Sequence, residues 1–91
     1  MSNYIPHYTK KKQILRRKED FLRRLVSKNA SQECILAAAE EVRDARIRVV
    51  RAQRATIPQT GDGQVQNNKL DARIQGIAAT PLETIVAEFI G

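Results

Sequence analysis

The chain has 91 residues and a mass of 10.3 kDa, which excludes a two-domain enzyme with a cleft between its halves. Sixteen Lys and Arg residues against ten Asp and Glu residues give a formal net charge of +6, and the aromatic share is only 4%. The sequence therefore predicts one small unit with an aliphatic core and a basic surface. No motif in it identifies a reaction or a named partner.

Cysteine usage and hydropathy narrow the class of protein further. Cys34 is the single cysteine, so no intrachain disulfide can form, and we expect a cytoplasmic protein with a buried, inert thiol. The longest apolar run, residues 34–39, is far shorter than the roughly 20 residues that cross a bilayer. A membrane-surface helix is disfavoured because Trp is absent and the apolar faces are needed for folding.

The N-terminal third divides into an arm and a helix. Residues 1–8 include Pro6 and lack periodicity, which predicts a flexible arm. From Thr9 onward, apolar residues return at intervals of seven, four and one, a spacing typical of a helix. We expect the first helix over residues 9–28, at the start of a single helical domain that includes residues 9–91.

A second, longer helix is predicted over residues 32–57. Ser31 can cap its first turn, and Pro58 stops it because proline has no amide hydrogen. A sevenfold repeat of apolar and small residues predicts a close-packed helix–helix interface lined by alanine. This interface consists of Ile35, Ala38, Val42, Ala45, Val49 and Ala52. The alternative is that the alanines only reflect high helix propensity.

The C-terminal third predicts a loop and two short helices. Residues 58–67 have turn residues without strand-like flanks, which predicts a loop. A third helix is expected over residues 68–79, capped by an asparagine at position 67 or 68, and a fourth over residues 81–90 after a Thr-Pro-Leu-Glu start signal. The fourth helix is too short to persist alone and should dock on the rest of the protein. Its docking face consists of Leu82, Ile85, Val86, Phe89 and Ile90.

These elements predict an all-α protein, with an antiparallel helical hairpin of two long helices and two short C-terminal helices in a small bundle. The second helix, at roughly 40 Å, should overhang the first, at roughly 30 Å. The C-terminal helices or a second chain could cover the overhang, and a single core of this size is marginal. We therefore expect self-association, with a homodimer favoured.

Positive charge is concentrated at one end of the predicted hairpin. Antiparallel pairing brings the start of the first helix beside the end of the second, with Asp44 as the single acid at the margin. The candidate residues for binding a polyanion or an acidic partner are Lys10, Lys11, Lys12, Arg16, Arg17, Lys18, Arg46, Arg48, Arg51 and Arg54. Such a cluster destabilises the fold unless anions or an acidic surface relieve it.

Acids elsewhere in the sequence could also neutralise this cluster. Asp71, Glu83 and Glu88, from the same chain or a neighbour, could turn it into an ordinary solvated face. Lys18 and Arg46 fall inside the apolar arcs of their helices. We expect each of them either to extend to a rim or to meet an acidic partner.

Catalytic chemistry is not indicated, and we expect no enzyme, cofactor or metal site. His7 is the single histidine, so one chain cannot assemble a His-based triad or a His-containing zinc site. Glu40, Glu41 and Asp44 lie among arginines on a helix, which is typical of solvated ion pairing. The glycine-rich loops that hold phosphates are absent.

Two functions fit this sequence. The first is a non-enzymatic interaction or assembly protein that oligomerises through its alanine-lined face and docks its C-terminal helix. The alternative is sequence-nonspecific binding of RNA or DNA through the basic end of the hairpin. Tyr4, His7 and Tyr8 lie beside the lysine run and could stack on bases.

Overall fold

Four helices form the described part of the chain. A computed structural model describes residues 4–58 and 60–90, with side chains from Pro6 onward. The helices are α1 (Tyr4–Ser27), α2 (Gln32–Ala55), α3 (Asp62–Ala79) and α4 (Leu82–Ala87). These residues include no strand, so the predicted all-α class is confirmed. None of the four helices is long and apolar enough to cross a membrane.

The predicted hairpin of α1 and α2 turns at residues 28–31. Asn29 takes a left-handed conformation with φ of 54°, which asparagine tolerates better than most residues. The amides of Asn29 and Ala30 donate to carbonyl groups in the last turn of α1 and close that helix. The Oγ of Ser31 accepts from the amide of Cys34 at 3.3 Å, so Ser31 caps α2 as predicted.

The main core lies at the closed end of the hairpin, the end that contains the turn. Leu22 of α1, Val42 of α2 and Ile85 of α4 are its largest fully buried side chains. Each aliphatic side chain buried in this way stabilises the fold by about 1.5–3 kcal/mol. α2 is the central helix, because α1, α3 and α4 each pack against it.

The alanine-lined face of α2 is buried within a single chain. Ala38, Ala45 and Ala52 are only 2%, 6% and 4% exposed, while Ile35 and Val49 on the same face are half-buried. Small side chains allow two helix axes to approach closely, and α1 contacts this face around Ala38 and Ala45. In this arrangement the face contributes to the fold of one chain.

The fourth helix docks on the closed end of the hairpin. Ile85 belongs to the core cluster, and Leu82, Val86 and Phe89 pack against that cluster. Ile90, the last residue of the predicted docking face, is 62% exposed and does not pack against the core. The predicted bounds, residues 81–90, were too wide, because regular helix stops at Ala87 and only hydrogen-bonded turns follow.

The flexible arm predicted over residues 1–8 is wrong from residue 4 onward, because α1 begins at Tyr4. Pro6 lies in the first helical turn, where amide groups have no partner inside the helix, so its missing hydrogen costs no bond. Residues 1–3 lie outside the described part of the chain. The helix at residues 9–28 was thus predicted with the right type but too late a start.

The predicted overhang of the second helix is also wrong. α1 and α2 each have 24 residues, because α1 starts earlier than expected and α2 ends at Ala55 instead of residue 57. Two helices of equal length leave no uncovered end on α2. α3 and α4 therefore cover a different side of α2, and the overhang gives no reason for a second chain.

The loop predicted over residues 58–67 is shorter than expected, because α3 begins at residue 62 and not at 68. Gly63, Asn67 and Leu70 form the buried face of its first turns, at the helical spacing of four and three. A glycine and an asparagine carry no hydrophobic signal, so the apolar pattern did not reveal this start. Asn67, one of the two expected caps, lies inside the helix and is buried.

Gly63 is required at the junction of α2 and α3. A Cβ atom at this position would collide with the carbonyl oxygen of Pro58. Glycine therefore lets the start of α3 approach the end of α2 closely. Gly76, in the same helix, has open space where a Cβ would lie, so its lack of a side chain serves no such contact.

Thr80 closes α3 and does not cap α4 as the start signal suggested. Its hydroxyl donates to the carbonyl of Gly76 at 2.8 Å, and α4 has no side-chain cap at Pro81. The guanidinium of Arg43 in α2 donates to the carbonyl of Thr80 at 3.4 Å. This contact ties the junction of α3 and α4 to the central helix.

Candidate nucleic-acid interface

The open end of the hairpin brings the start of α1 beside the end of α2. Residues 4–18 of α1 contain six cations and no acid, and residues 46–54 of α2 contain four more cations and no acid. The Nζ of Lys18 lies 3.1 Å from Oε1 of Glu41, which fixes the antiparallel register. One groove between the helices is lined by Lys11, Ile14, Lys18, Glu41, Asp44, Ala45 and Arg48.

Three of the ten candidate cations form ion pairs within the chain. Lys18 pairs with Glu41, and Nε of Arg54 lies 2.8 Å from Oδ1 of Asp71 on α3. Arg46 pairs with two glutamates on different helical segments. These three cations hold the helices to one another.

Arg46 joins three segments at the middle of the hairpin. Its guanidinium donates to both carboxylate oxygens of Glu88, at 3.0 and 3.1 Å, and to Glu19 of α1 at 3.4 Å. The hydrogen bond to Glu88 raises the pKa of Arg46 above its ordinary value, although partial burial opposes this effect. A raised pKa means that the stabilisation is complete below the ordinary pKa and is lost only in strongly alkaline solution.

Lys18 and Arg46 therefore meet acidic partners, one of the two outcomes that their positions in apolar arcs predicted. Of the three acids proposed to relieve the cluster, Asp71 and Glu88 form ion pairs with it. Glu83 forms no ion pair among the described residues and lies near the turn of the hairpin. The sequence spacing did not reveal Glu41 and Glu19 as partners, because both act across the hairpin and not along one helix.

The other seven candidate cations have no carboxylate partner among the residues that the structure describes. They are Lys10, Lys11, Lys12, Arg16, Arg17, Arg48 and Arg51. All are exposed except Lys11, which is half-buried in the groove. Glu41 and Asp44 share the groove with Lys11 and Arg48, and Asp71 lines another groove with Arg51. The excess of positive charge therefore lies at the outer tip of the hairpin, hereafter the basic tip.

The aromatic groups near the basic tip differ in what they can contact. The Nζ of Lys12 lies 4.5 Å from the ring centroid of Tyr8, a distance typical of a cation–π interaction, and Tyr8 is half-buried. His7 is exposed on the first turns of α1. The side chain of Tyr4 lies outside the described part of the structure. His7 is thus more accessible for stacking on a base than Tyr8.

Groups that could bind a metal or act as a nucleophile are sparse. Within residues 4–58 and 60–90, no cluster of His, Cys, Asp and Glu could hold a metal ion. Cys34 is exposed, so the prediction of a buried thiol is wrong. It lies in the first turn of α2, where the neighbouring helices cover Ile35 and Ala38 but leave Cys34 open to solvent.

Comparisons with protein-family models, with curated proteins and with solved structures found no match to this chain.

Proposed function

We propose that this protein is a non-enzymatic helical module that binds the phosphate backbone of nucleic acids through its basic tip. One observation carries the proposal: the cations of the tip lack carboxylate partners among the described residues, while Lys18, Arg46 and Arg54 have them. Exposed cations elsewhere in the described part of the chain also lack such partners, but those of the tip are clustered, because residues 4–18 and 46–54 contain no acid. The tip therefore supports binding of an external polyanion.

Electrostatics favour such a ligand. Like charges held together at the tip repel one another and lower the stability of the compact state. Phosphate groups relieve this repulsion, and each contact also releases a counterion from the nucleic acid. The overall charge of +6 adds long-range attraction to any polyanion.

The arrangement supports binding without sequence preference. Contacts between cations and phosphates position a protein on a nucleic acid but carry no sequence information. α1 and α2 pack side by side along their lengths, so neither is a free recognition helix. His7 offers limited stacking on unpaired bases. We place this activity in the cytoplasm, where a reducing environment suits an exposed single cysteine.

The salt dependence of binding tests this proposal. With about five phosphate contacts, the logarithm of the binding constant should fall against the logarithm of salt concentration with a slope of about −4. Oligonucleotides of different sequence but equal length should give the same slope and similar affinity. Absence of binding at low salt would remove the proposal.

A matched pair of variants locates the site. K10Q, K11Q, R16Q and R17Q together remove four cations from the α1 side of the tip, and the slope should become shallower by up to about 3.6. The control variant carries R24Q, K28Q, K69Q and R73Q, which removes the same charge from exposed positions elsewhere. Equal loss of binding in both variants would show a general charge effect and contradict a site at the tip.

Assembly is a second candidate function, favoured by apolar side chains left on the surface. Phe21, Val65 and Ile90 are 48%, 55% and 62% exposed. The predicted alanine-lined face is already buried within one chain, so association through that face would require the chain to rearrange. Sedimentation equilibrium of F21S and I90S variants tests the exposed groups. Weaker self-association than in the wild type would support this function. An unchanged mass distribution would show that these side chains do not contribute to self-association.

A further inference from the structure

The exposed side of α2 carries a regular pattern of charges. α1 covers one side of this central helix, and α3 and α4 cover another. The remaining side, which includes the rim of the groove between α1 and α2, is marked by residues that are all exposed and are separated by four, three, four, three and four positions. They form the α2 stripe: Ala37, Glu41, Asp44, Arg48, Arg51 and Ala55. This alternation of three and four places the six residues along one face of the helix.

The α2 stripe is complementary to itself when one copy is reversed. A two-fold axis between positions 44 and 48 sets Glu41 opposite Arg51 of a second copy, and Asp44 opposite its Arg48. The alanines at the two ends of the stripe also face each other. In a parallel arrangement Glu41 would face the same residue of the second copy, which is repulsive. The charge order therefore selects the antiparallel arrangement.

We propose that the α2 stripe is the interface at which a second copy of this chain binds, antiparallel and with two-fold symmetry. Such an interface uses the same patch on both chains, as most closed homodimers do. Small alanine side chains at both ends allow the helix axes to approach. Four ion pairs between the chains then lie along about 15 Å of helix, within a stripe about 27 Å long. This interface uses Arg48 and Arg51 of the basic tip, so dimerisation and nucleic-acid binding compete for these two side chains, and the dimer is tested without nucleic acid.

The contacts within one chain set limits on the strength of this dimer. Glu41 already accepts from Lys18 at 3.1 Å, so Lys18 competes with the second copy for this carboxylate. Asp44, Arg48 and Arg51 have no carboxylate or cation partner among the described residues. Exposed ion pairs are individually weak, and we expect a dissociation constant of about 10⁻⁴ M. An ionic strength of about 0.1 M screens the overall repulsion of two basic chains and leaves close pairs intact.

Charge reversal at one pair tests the interface. In sedimentation equilibrium without nucleic acid, the wild type should form a dimer at about 0.5 mM. E41R and R51E each place like charges opposite one another twice, and each should weaken the dimer at least about tenfold. A wild type that is monomeric under these conditions overturns the proposal, as do single variants that dimerise like the wild type.

Mixing the two variants gives a sharper result. When E41R and R51E are combined in equal amounts, every altered pair is again of opposite charge, and the heterodimer should regain the wild-type dissociation constant within about threefold. The E41R/R51E double variant should likewise form a homodimer. If neither the mixture nor the double variant forms dimers, the proposed pairing of Glu41 with Arg51 is wrong.

Two controls separate the interface from other effects. K18Q removes the competing ion pair inside the chain without touching the stripe, so its dimer should be at least as tight as that of the wild type. R73E carries the same charge change as R51E at an exposed position on α3 and should not alter the dimer. A loss of association in K18Q or R73E would show that the stripe is not the determining surface.

Crosslinking tests the orientation. In a C34S background, chains carrying A37C should form disulfides with chains carrying A55C, because these positions are opposite in the antiparallel pair. A37C chains alone should crosslink much less. Preferred crosslinking between two A37C chains would demonstrate a parallel arrangement and contradict the proposal.

Discussion

The two ends of the hairpin differ in the size of their buried side chains and in the number of their unpaired charges among the described residues. At the closed end, Leu22, Val42 and Ile85 from three helices are fully buried, and Arg23 pairs with Asp20 and lies 5.3 Å from the ring centroid of Phe89. At the basic tip, the helices pack through small side chains, and cations face solvent without carboxylate partners among the described residues. Arg23 at the closed end thus contributes to the fold, while the clustered cations of the tip repel one another.

This difference separates the closed end, which stabilises the fold, from the tip, which we propose binds a polyanion. The closed end contributes most of the apolar burial, so the tip can hold repulsive charge without unfolding the chain. The ion pairs of Arg46 lie near the middle of the hairpin and that of Arg54 lies in the last turn of α2, and both fasten α2 to its neighbours. Changes at the closed end should therefore alter the free energy of unfolding far more than changes at the tip.

The largest effect is expected from Ile85→Ala. Ile85 is 1% exposed and joins α4 to the main core, so its truncation should lower the free energy of unfolding by about 2–5 kcal/mol. Urea denaturation measures this change. Ile90→Ala is the control, because Ile90 is 62% exposed and its truncation should cost less than about 0.5 kcal/mol. Equal effects for the two variants would mean that α4 does not dock as described.

A smaller loss is expected from overfilling the interface between α1 and α2. Ala45 is 6% exposed on the face that α1 covers, so Ala45→Leu should lower the free energy of unfolding by about 1–3 kcal/mol. Ala72→Leu adds the same atoms at an exposed position of α3 and should be nearly neutral. If Ala45→Leu melts at the wild-type temperature, the close packing of the hairpin is contradicted.

Two glycines of α3 should respond with opposite signs. Gly63→Ala introduces a methyl group that collides with the carbonyl of Pro58, and we expect a loss of about 1–3 kcal/mol. Gly76→Ala meets no neighbouring atom and should stabilise the helix by up to about 1 kcal/mol. Thermal unfolding of both variants measures the difference. Stabilisation by Gly63→Ala would show that α3 does not approach α2 at this junction.

The smallest effects should come from single arginines at the two ends. Arg23→Gln removes an ion pair and a cation–π contact and should cost about 0.5–1 kcal/mol. Arg17→Gln removes a cation of the tip and should change the free energy of unfolding by less than about 0.5 kcal/mol, or raise it slightly. Matched urea titrations compare the two. A larger loss of unfolding free energy for Arg17→Gln than for Arg23→Gln would contradict this distinction between the two ends.

Local sequence rules predicted the parts of the fold that depend on neighbours along the chain. The spacing of apolar residues identified both long helices, and Ser31 marked the start of α2. The same rules failed at Pro6, since proline is a breaker inside a helix but harmless in its first turn. They also failed at Gly63 and Asn67, which are buried for reasons of close approach and not of hydrophobicity.

The candidate site could be predicted only in part. The sequence identified which cations gather at the open end, because the antiparallel hairpin alone determines that. It did not determine which of them are neutralised, since Glu19, Glu41 and Glu88 reach their partners across the fold. Only the arrangement of all the helices separates the structural cations from those of the basic tip.

The most direct test of the account is a map of where a polyanion binds. Amide chemical shifts of the isotopically labelled protein can be followed by nuclear magnetic resonance while an oligonucleotide is added at low salt. We expect the largest changes at Lys10, Lys11, Arg16 and Arg48, and little change at Leu22 or Ile85 of the closed end. Changes concentrated around Leu22 and Ile85, or none at all, would contradict the account.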